Sequence, residues 1–342
     1  MGKPFVTIAI PCFNEERHIA ACLEDVFAQD YPAELIEVLV GDGMSTDRTR
    51  DILREISARR PGRVRIIENP RRLQAPAMNA MLAVARGEVI VRMDVHARYA
   101  PDYVRQCVAV LDETGADNVG GAQRAVPETW FQRALCAALD SPLGVGGARY
   151  RNANMEGFVD TVFLGAFRRR VLDTVGGYDG NAVTNEDAEL NQRIRRAGGK
   201  VFLSRRIVVH YVPRSSFQDL ARQYFRYGRG CARSFLKNKS FPTPRPAIPF
   251  LMVVGGLTLL VVPRLRRFAP LAFGLYGAAA LVEAVRVSRR RGLALAPVVA
   301  AIFPVLHVSH GVGFAVGLAQ YALHPDWSDP ESASAIRVDA GS

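Results

Sequence analysis

From residue 1 to about 210, short apolar runs alternate with amphipathic stretches. Val6–Ile10, Ile36–Gly41, Val64–Glu68, Val89–Met93 and Val201–Leu203 have the length and β-branched content of buried strands. Between them Glu15–Gln29, Asp47–Arg59 and Ala75–Ala85 repeat apolar residues at helical spacing, and Pro101–Leu111 predicts a further helix. Strands alternating with helices predict an α/β domain whose sheet is mostly parallel and flanked by helices. Each strand runs into a polar loop, and open α/β sheets bind ligands at the carboxyl ends of their strands. The chain opens on a strand pattern rather than on a charged stretch followed by a long apolar one. No signal peptide is therefore expected, and the first domain is expected in the cytoplasm. Val6, where myristoylation requires serine or threonine, argues against a lipid anchor.

The pattern changes near residue 240, where Phe241–Pro249 holds four prolines and breaks regular structure. Beyond it lie three uncharged stretches: Ala247–Pro263 of 17 residues, Phe268–Val282 of 15 and Gly292–His324 of 33. Crossing the hydrocarbon takes ~20 helical residues, so the third clears that length and the first two are marginal. The short ones read as membrane segments, or as a buried hairpin or interfacial helices. Arg264, Arg266, Arg267, Arg286 and Arg289–Arg291 flank them, and such clusters mark the cytoplasmic side. A full crossing by the first stretch would leave Arg264–Arg267 on the outer face, unless that stretch is re-entrant or shallow. The expected layout is a cytoplasm-facing domain over 1–240 with an interface helix near 216–236. Hydrophobic helices at the cytoplasmic membrane follow over 241–325, then a flexible tail over 326–342.

With 49% hydrophobic and 23% charged residues in a chain of 342, disorder is excluded. Lysine and arginine exceed the acids by 44 to 33, a net charge of +11, which points to phosphates, nucleic acid or an acidic membrane surface. Nucleic acid is not expected, because no binding motif accompanies arginines that sit largely beside apolar stretches. The absence of G-x-G-x-x-G after the first strand and of G-x-x-x-x-G-K-[ST] argues against dehydrogenase and kinase chemistry. Cys12, Cys22, Cys107, Cys136 and Cys231 form no C-x-x-C pair, so no zinc or disulfide framework is readable and a reducing compartment is the simpler inference.

Four polar segments lie where chemistry belongs. Pro11-Cys12-Phe13-Asn14-Glu15-Glu16 ends the first strand; Asn14 could equally cap the next helix, with both glutamates favourable in its first turn. Gly41-Asp42-Gly43 ends the second strand in a turn that projects Asp42 at the same edge. Asp94-Val95-His96 follows the fourth, where a carboxylate and an imidazole can share a divalent metal or flank a sugar nucleotide, although His96 also reads as an exposed polar residue. In Asn185-Glu186-Asp187, Leu190 and Ile194 supply the inward face of a helix. Its carboxylates suit the helix dipole or, for Asp187, a general base. His210 could join the metal site.

In this order and spacing the four segments resemble the inverting glycosyltransferases of family 2, with the nucleotide-diphospho-sugar transferase fold called GT-A. Met93–Tyr99, Val159–Asp179 and Gln223–Gly228 look like the membrane-bound branch that includes the succinoglycan-type exopolysaccharide glucosyltransferases. The resemblance implies that Asp42 contacts the nucleobase, helped by Pro11, Asn14 and Glu15. Asp94 is then near the ribose and pyrophosphate, and Asp94, His96 and His210 hold Mn2+ or Mg2+. Asp187 is the base, with Glu186 beside the acceptor. A histidine in place of the second aspartate of Asp-x-Asp suits manganese better than magnesium. Gln223-x-x-Arg226-Tyr227 is similar to the Gln-x-x-Arg-Trp motif of processive synthases and implies acceptor contacts, although an interface helix with arginines toward headgroups fits the same pattern. Tyrosine for tryptophan and the short tail imply single-sugar transfer. Further acceptor contacts are expected in Arg151–Glu156.

The implied function is inverting, metal-dependent transfer of a sugar, with UDP-glucose as the preferred donor, to a lipid-linked saccharide at a membrane. The alternatives are transfer onto a polyprenyl phosphate and a non-catalytic, membrane-anchored nucleotide-sugar-binding scaffold.

Overall fold

The computed structural model describes residues 2–145, 154–239 and 244–327. Residues 151–153 of the expected acceptor loop, 241–243 of the proline-rich stretch and 328–342 of the expected tail lie outside the described residues. Two compact units form, one of Met1–Arg124, Asn152–Tyr211 and Asp326–Ser342, the other of Ala125–Arg151 and Val212–Pro325.

In the first unit the β-branched runs form β1 (Val6–Cys12), β2 (Ile36–Asp42), β3 (Val64–Glu68) and β4 (Val89–Arg92), paired in parallel in the order β3-β2-β1-β4. The helices α1 (Ile19–Phe27), α2 (Thr49–Arg59) and α3 (Gln74–Leu82) connect them. After β5 (Ala97–Tyr99), α4 (Tyr103–Thr114) ends at Gly115, whose φ of 63° closes the helix. The sheet continues through β6 (Asn118–Gly121), β8 (Gly157–Phe158), β9 (Phe163–Arg168) and β10 (Val201–Leu203), in the full order β3-β2-β1-β4-β9-β6-β10-β8. The sheet is mostly parallel, with β9 antiparallel to both β4 and β6. Val6, Ile8, Ile10, Val40, Val91, Val119 and Leu164 are buried in one core with the helices. α7 (Arg169–Val175) and α8 (Glu186–Arg196) follow β9. A small second sheet sets β5 beside β11 (Val209–Tyr211) and β7 (Gln123–Ala125).

The second unit contains α5 (Trp130–Leu139), α6 (Pro142–Val145), α9 (Phe217–Asn238), α10 (Ile248–Val261), α11 (Ala269–Ser288) and α12 (Ala296–Leu323). This division differs from the boundary expected near residue 240, because α5 and α9 pack on the apolar helices. Leu135, Ala138, Leu220, Tyr224, Ala284, Phe303 and Leu306 share their core. Helices α9 and α12 meet backbone to backbone: a Cβ on Gly313 would stand 2.1 Å from the Phe225 carbonyl oxygen, and one on Gly228 2.1 Å from that of His310. Among the described residues two helical segments are long and apolar enough to cross a membrane, Arg266–Ser288 and Leu293–Leu323. The first outruns its uncharged stretch because Glu283 pairs with Arg286 one turn on, at 2.6 Å. At roughly 21 Å for its 14 residues, α10 is shorter than the hydrocarbon, which favours the shallow alternative for that stretch.

Candidate active site

The loops after β1 and β2 are laced together by side chains. Asn14, at φ 54°, donates its backbone N–H to Ser45 Oγ (2.9 Å) and accepts from the Thr46 N–H at Oδ1 (2.8 Å). Ser45 Oγ donates in turn to Asp42 Oδ1 (2.6 Å), and Arg50 Nε lies 3.3 Å from Asp42 Oδ2. Glu15 and Glu16 donate their backbone N–H groups to Thr49 Oγ1 and Asp47 Oδ2. Helix α1 therefore starts four residues later than expected, and Asn14 is a loop clasp rather than its cap. Pro11 pairs with Gly41 within the strands. Asp42 is fully buried, with both carboxylate oxygens engaged inside the protein.

The lacing fixes Glu15 against the loop after β4. Its Oε1 lies 2.8 Å from Nε2 of the exposed His96, whose ring meets that of His18 edge-on at 4.7 Å. Among the described residues, Glu15, His18 and His96 form the one group of three or more whose ligand atoms all lie within 4.8 Å of one another. One carboxylate and two imidazoles suit a transition ion such as Mn2+ better than Mg2+, which prefers oxygen. The donor set thus fits a divalent metal, but with different partners for His96 than expected. Asp94 turns instead to Arg92, and His210 stands on β11 opposite Arg98 of β5.

Arg92, at 2% exposure, is the hub of the site. Its Nε donates to Asp94 Oδ1 (3.0 Å), while Nη1 donates to Asp187 Oδ1 (2.7 Å) and Glu186 Oε1 (3.2 Å). Nη2 reaches Gln74 Oε1 at 3.4 Å, and the Tyr178 ring lies 5.9 Å away. The end of β4 is thereby tied to the start of α8. That helix is held in its turn, with Leu190 and Ile194 fully buried and Asn191 bonded to Asn118 and Thr161. Glu186, expected beside an acceptor, is buried and spent on Arg92. Burial opposes the charge on Arg92, yet Asp187, Asp94 and Glu186 outweigh it and hold the guanidinium protonated. Burial pushes the Asp187 carboxyl up to about 7, with Arg92 pulling the other way. A carboxyl poised there can accept a proton near neutral pH.

A glycosyl transferase family 2 domain matches residues 7–176. The succinoglycan biosynthesis protein ExoA of Rhizobium meliloti is 33% identical over 311 residues, covering 90% of this chain and 93% of that protein. The chain belongs to glycosyl transferase family 2. A second family member, the dolichyl N-acetyl-alpha-D-glucosaminyl phosphate 3-beta-D-2,3-diacetamido-2,3-dideoxy-beta-D-glucuronosyltransferase of Methanococcus voltae, is 28% identical over 90% of this chain and 95% of that one. Among solved structures, the mannosyltransferase PcManGT of Pyrobaculum calidifontis, in complex with GDP-Man and Mn2+, superposes with a TM-score of 0.62 at 22% identity, over 93% of this chain and 88% of that one. S. aureus TarS 1-349 in complex with UDP-GlcNAc gives 0.52 at 16%, over 93% and 91%. At such identities the likeness concerns the fold, which is GT-A. This family 2 chain is a glycosyltransferase.

Sequence reasoning missed Arg92, Gln74, Tyr178 and the place of His18 beside Glu15 and His96. The signal for the first was a lone arginine closing an otherwise apolar strand, Val89-Ile90-Val91-Arg92, where a buried charge demands carboxylate partners. Gln223, Arg226 and Tyr227 belong to the second unit. There Gln223 Nε2 donates to the Tyr227 hydroxyl (3.0 Å) one turn away on α9, while Arg226 is exposed.

Proposed function

We propose that this glycosyltransferase moves one sugar from a nucleotide-diphosphate sugar, preferentially UDP-glucose, to a lipid-linked saccharide at the cytoplasmic face of a membrane, in the biosynthesis of exopolysaccharide or another cell-surface glycan. The observation that carries the reading is Asp187, held at the start of α8 by the buried Arg92 and poised near neutrality. The Asp187 carboxylate takes the proton of an acceptor hydroxyl, whose oxygen attacks the anomeric carbon as the bond to the diphosphate breaks. One in-line displacement inverts that carbon, and the nucleoside diphosphate leaves. Arg92 keeps the base oriented and separates it from Asp94, which faces the donor together with Pro11, Asn14 and Glu15, while the buried Asp42 shapes the nucleobase side through Ser45 and Arg50. Glu15, His18 and His96 would hold a divalent cation, which supplies positive charge for the leaving diphosphate. Gln223, Arg226 and Tyr227 of α9 are the proposed acceptor contacts, whereas the buried Glu186 serves the base through Arg92. A lipid-linked acceptor is supported by the relative from Methanococcus voltae, whose name describes a dolichyl-linked sugar phosphate, and by the two membrane-length helices.

The test is turnover of a panel of sugar nucleotides with Mn2+ and extracted lipid-linked saccharides, by the full chain in detergent. Turnover of one donor, lost in Asp187→Asn while donor binding persists, is the expected result. Equal turnover in Asp187→Asn would remove the base assignment, and donor binding without turnover on any acceptor would favour the scaffold reading.

A further inference from the structure

The second unit carries a groove that the transfer chemistry leaves unused. It lies between α9 and α12 and encloses about 460 Å³, within the range of small-ligand sites. One wall is cationic: Arg222, Arg226 and Arg229, spaced four and three residues apart, share one face of α9. The other is apolar, with Val308 and Val312 of α12 at 52% and 38% exposure, beside Phe225.

This pairing is unusual for either kind of surface alone. Exposed valines beside guanidinium groups serve neither a watery face nor a purely lipidic one, and they match a ligand that is anionic at one end and aliphatic at the other. Arg229 is also held in place rather than merely present. Arg229 is braced by Nη2–H donation to Gln320 Oε1 (2.7 Å), while its buried Nε has no hydrogen-bond partner. Arg222 has a long contact with Asp219, at 3.5 Å. Guanidinium pairs phosphate oxygens two at a time, and a fixed fork holds one phosphate better than it holds a fluid layer of headgroups.

We propose that this groove binds the phosphate or diphosphate end of the acceptor's lipid carrier, with the three arginines on the phosphate and the first part of the aliphatic chain along Val308 and Val312. The inference rests on the lipid-linked acceptor proposed above and assigns its anionic end to Arg222 and Arg229 together with Arg226 of the Gln223-x-x-Arg226-Tyr227 motif.

The test uses the full chain in phosphatidylcholine nanodiscs and farnesyl diphosphate as the probe, with binding read by calorimetry. Farnesyl diphosphate should bind at least about tenfold more tightly than farnesol or inorganic diphosphate, since each lacks half of the match. The triple variant Arg222→Gln, Arg226→Gln, Arg229→Gln should lose at least about tenfold in affinity, and the triple lysine variant less, because lysine keeps the charge but not the fork. Val308→Trp, which fills the apolar wall, should weaken binding with every arginine in place. It carries the test if the glutamine variant fails to fold. Unchanged binding in these variants overturns the proposal. So does displacement of the probe by phosphatidylglycerol doped into the discs, which would give the groove to bulk anionic lipid. Binding is read without donor or turnover, so a chain that transfers sugar yet ignores the probe defeats only the groove. A chain that binds the probe but transfers nothing defeats only the transferase reading.

Discussion

Replacing Arg92 by methionine removes one cation from among three carboxylates. Its contacts at 2.7, 3.0 and 3.2 Å to Asp187, Asp94 and Glu186 come from a side chain with 2% exposure, so no other cation among the described residues stands ready to pair them. Deleting one member of a buried ionic cluster costs about 3–5 kcal/mol, because the remaining charges are left unpaired. Part of that cost is relieved as a carboxyl takes up a proton. Arg92→Lys keeps the charge but loses the fork that serves Asp94 on one side and α8 on the other, and should cost less. The decisive measurement is a double-mutant cycle with Asp187→Asn, using urea unfolding of the full chain in detergent followed by circular dichroism. In the Asp187→Asn background Arg92→Met should be milder by at least about 1 kcal/mol, the coupling expected of groups in contact. Additive effects, within about 0.5 kcal/mol, would mean that the two residues do not hold one another, and the proposed positioning of Asp187 by Arg92 would fall with them.

With Asp187 as the proposed base, its raised carboxyl should set the pH dependence of transfer. Its ordinary value of 3.8 becomes about 7 in the folded protein, so kcat/KM should climb with pH and level off above neutrality, and a profile already flat by pH 5 would contradict this. The stability contributed by the protonated form is complete below 3.8 and is lost as pH rises through about 7; Asp187→Asn should remove that slope from a series of thermal melts. His18→Ala and His96→Ala should each weaken Mn2+ binding at least about tenfold, read by the loss of the free-ion paramagnetic signal in a titration. An unchanged titration would disqualify the Glu15, His18 and His96 group. Gly313→Val puts a Cβ and two methyls where only 2.1 Å separates that Cβ from the Phe225 carbonyl oxygen. Separation of α9 from α12 should cost at least about 1–3 kcal/mol and expose α9 to protease, and an unaltered melt would refute the close helix contact.

The strands were legible where burial on both faces leaves a continuous β-branched run. Val64–Glu68 and Val201–Leu203 agree with the observed strands to the residue, and β1 and β2 each run slightly further into the edge loop. Helix starts were less legible, because Asn14–His18 has the composition of a first turn while its polar groups are spent on the loop across from it. The sequence singles out the aspartates and His96 as candidates, but it does not give their partners. Pairing Arg92 with Asp187 requires β4 and α8 to meet across 95 positions of chain, and local pattern carries no such information. The compact units divide the chain elsewhere than the composition does, for a related reason. Composition changes at the prolines, whereas packing is decided by glycines on α9 and α12 that look like ordinary helix weaknesses in the sequence.

The second unit is assembled from two separate pieces of chain, and this imposes an order of events during synthesis. Helix α5 is made early, between strands of the other unit, yet most of the core that Leu135 and Ala138 join comes from α11, α12 and the turn between them, with Leu220 and Tyr224 from α9. At ordinary translation rates α5 waits roughly ten to thirty seconds for α12 to be made. Throughout that interval it offers bare apolar surface to whatever is nearby. A chaperone or the bilayer is the natural cover for such surface before the sequence is complete, because exposed apolar surface on a partly made chain is prone to aggregate.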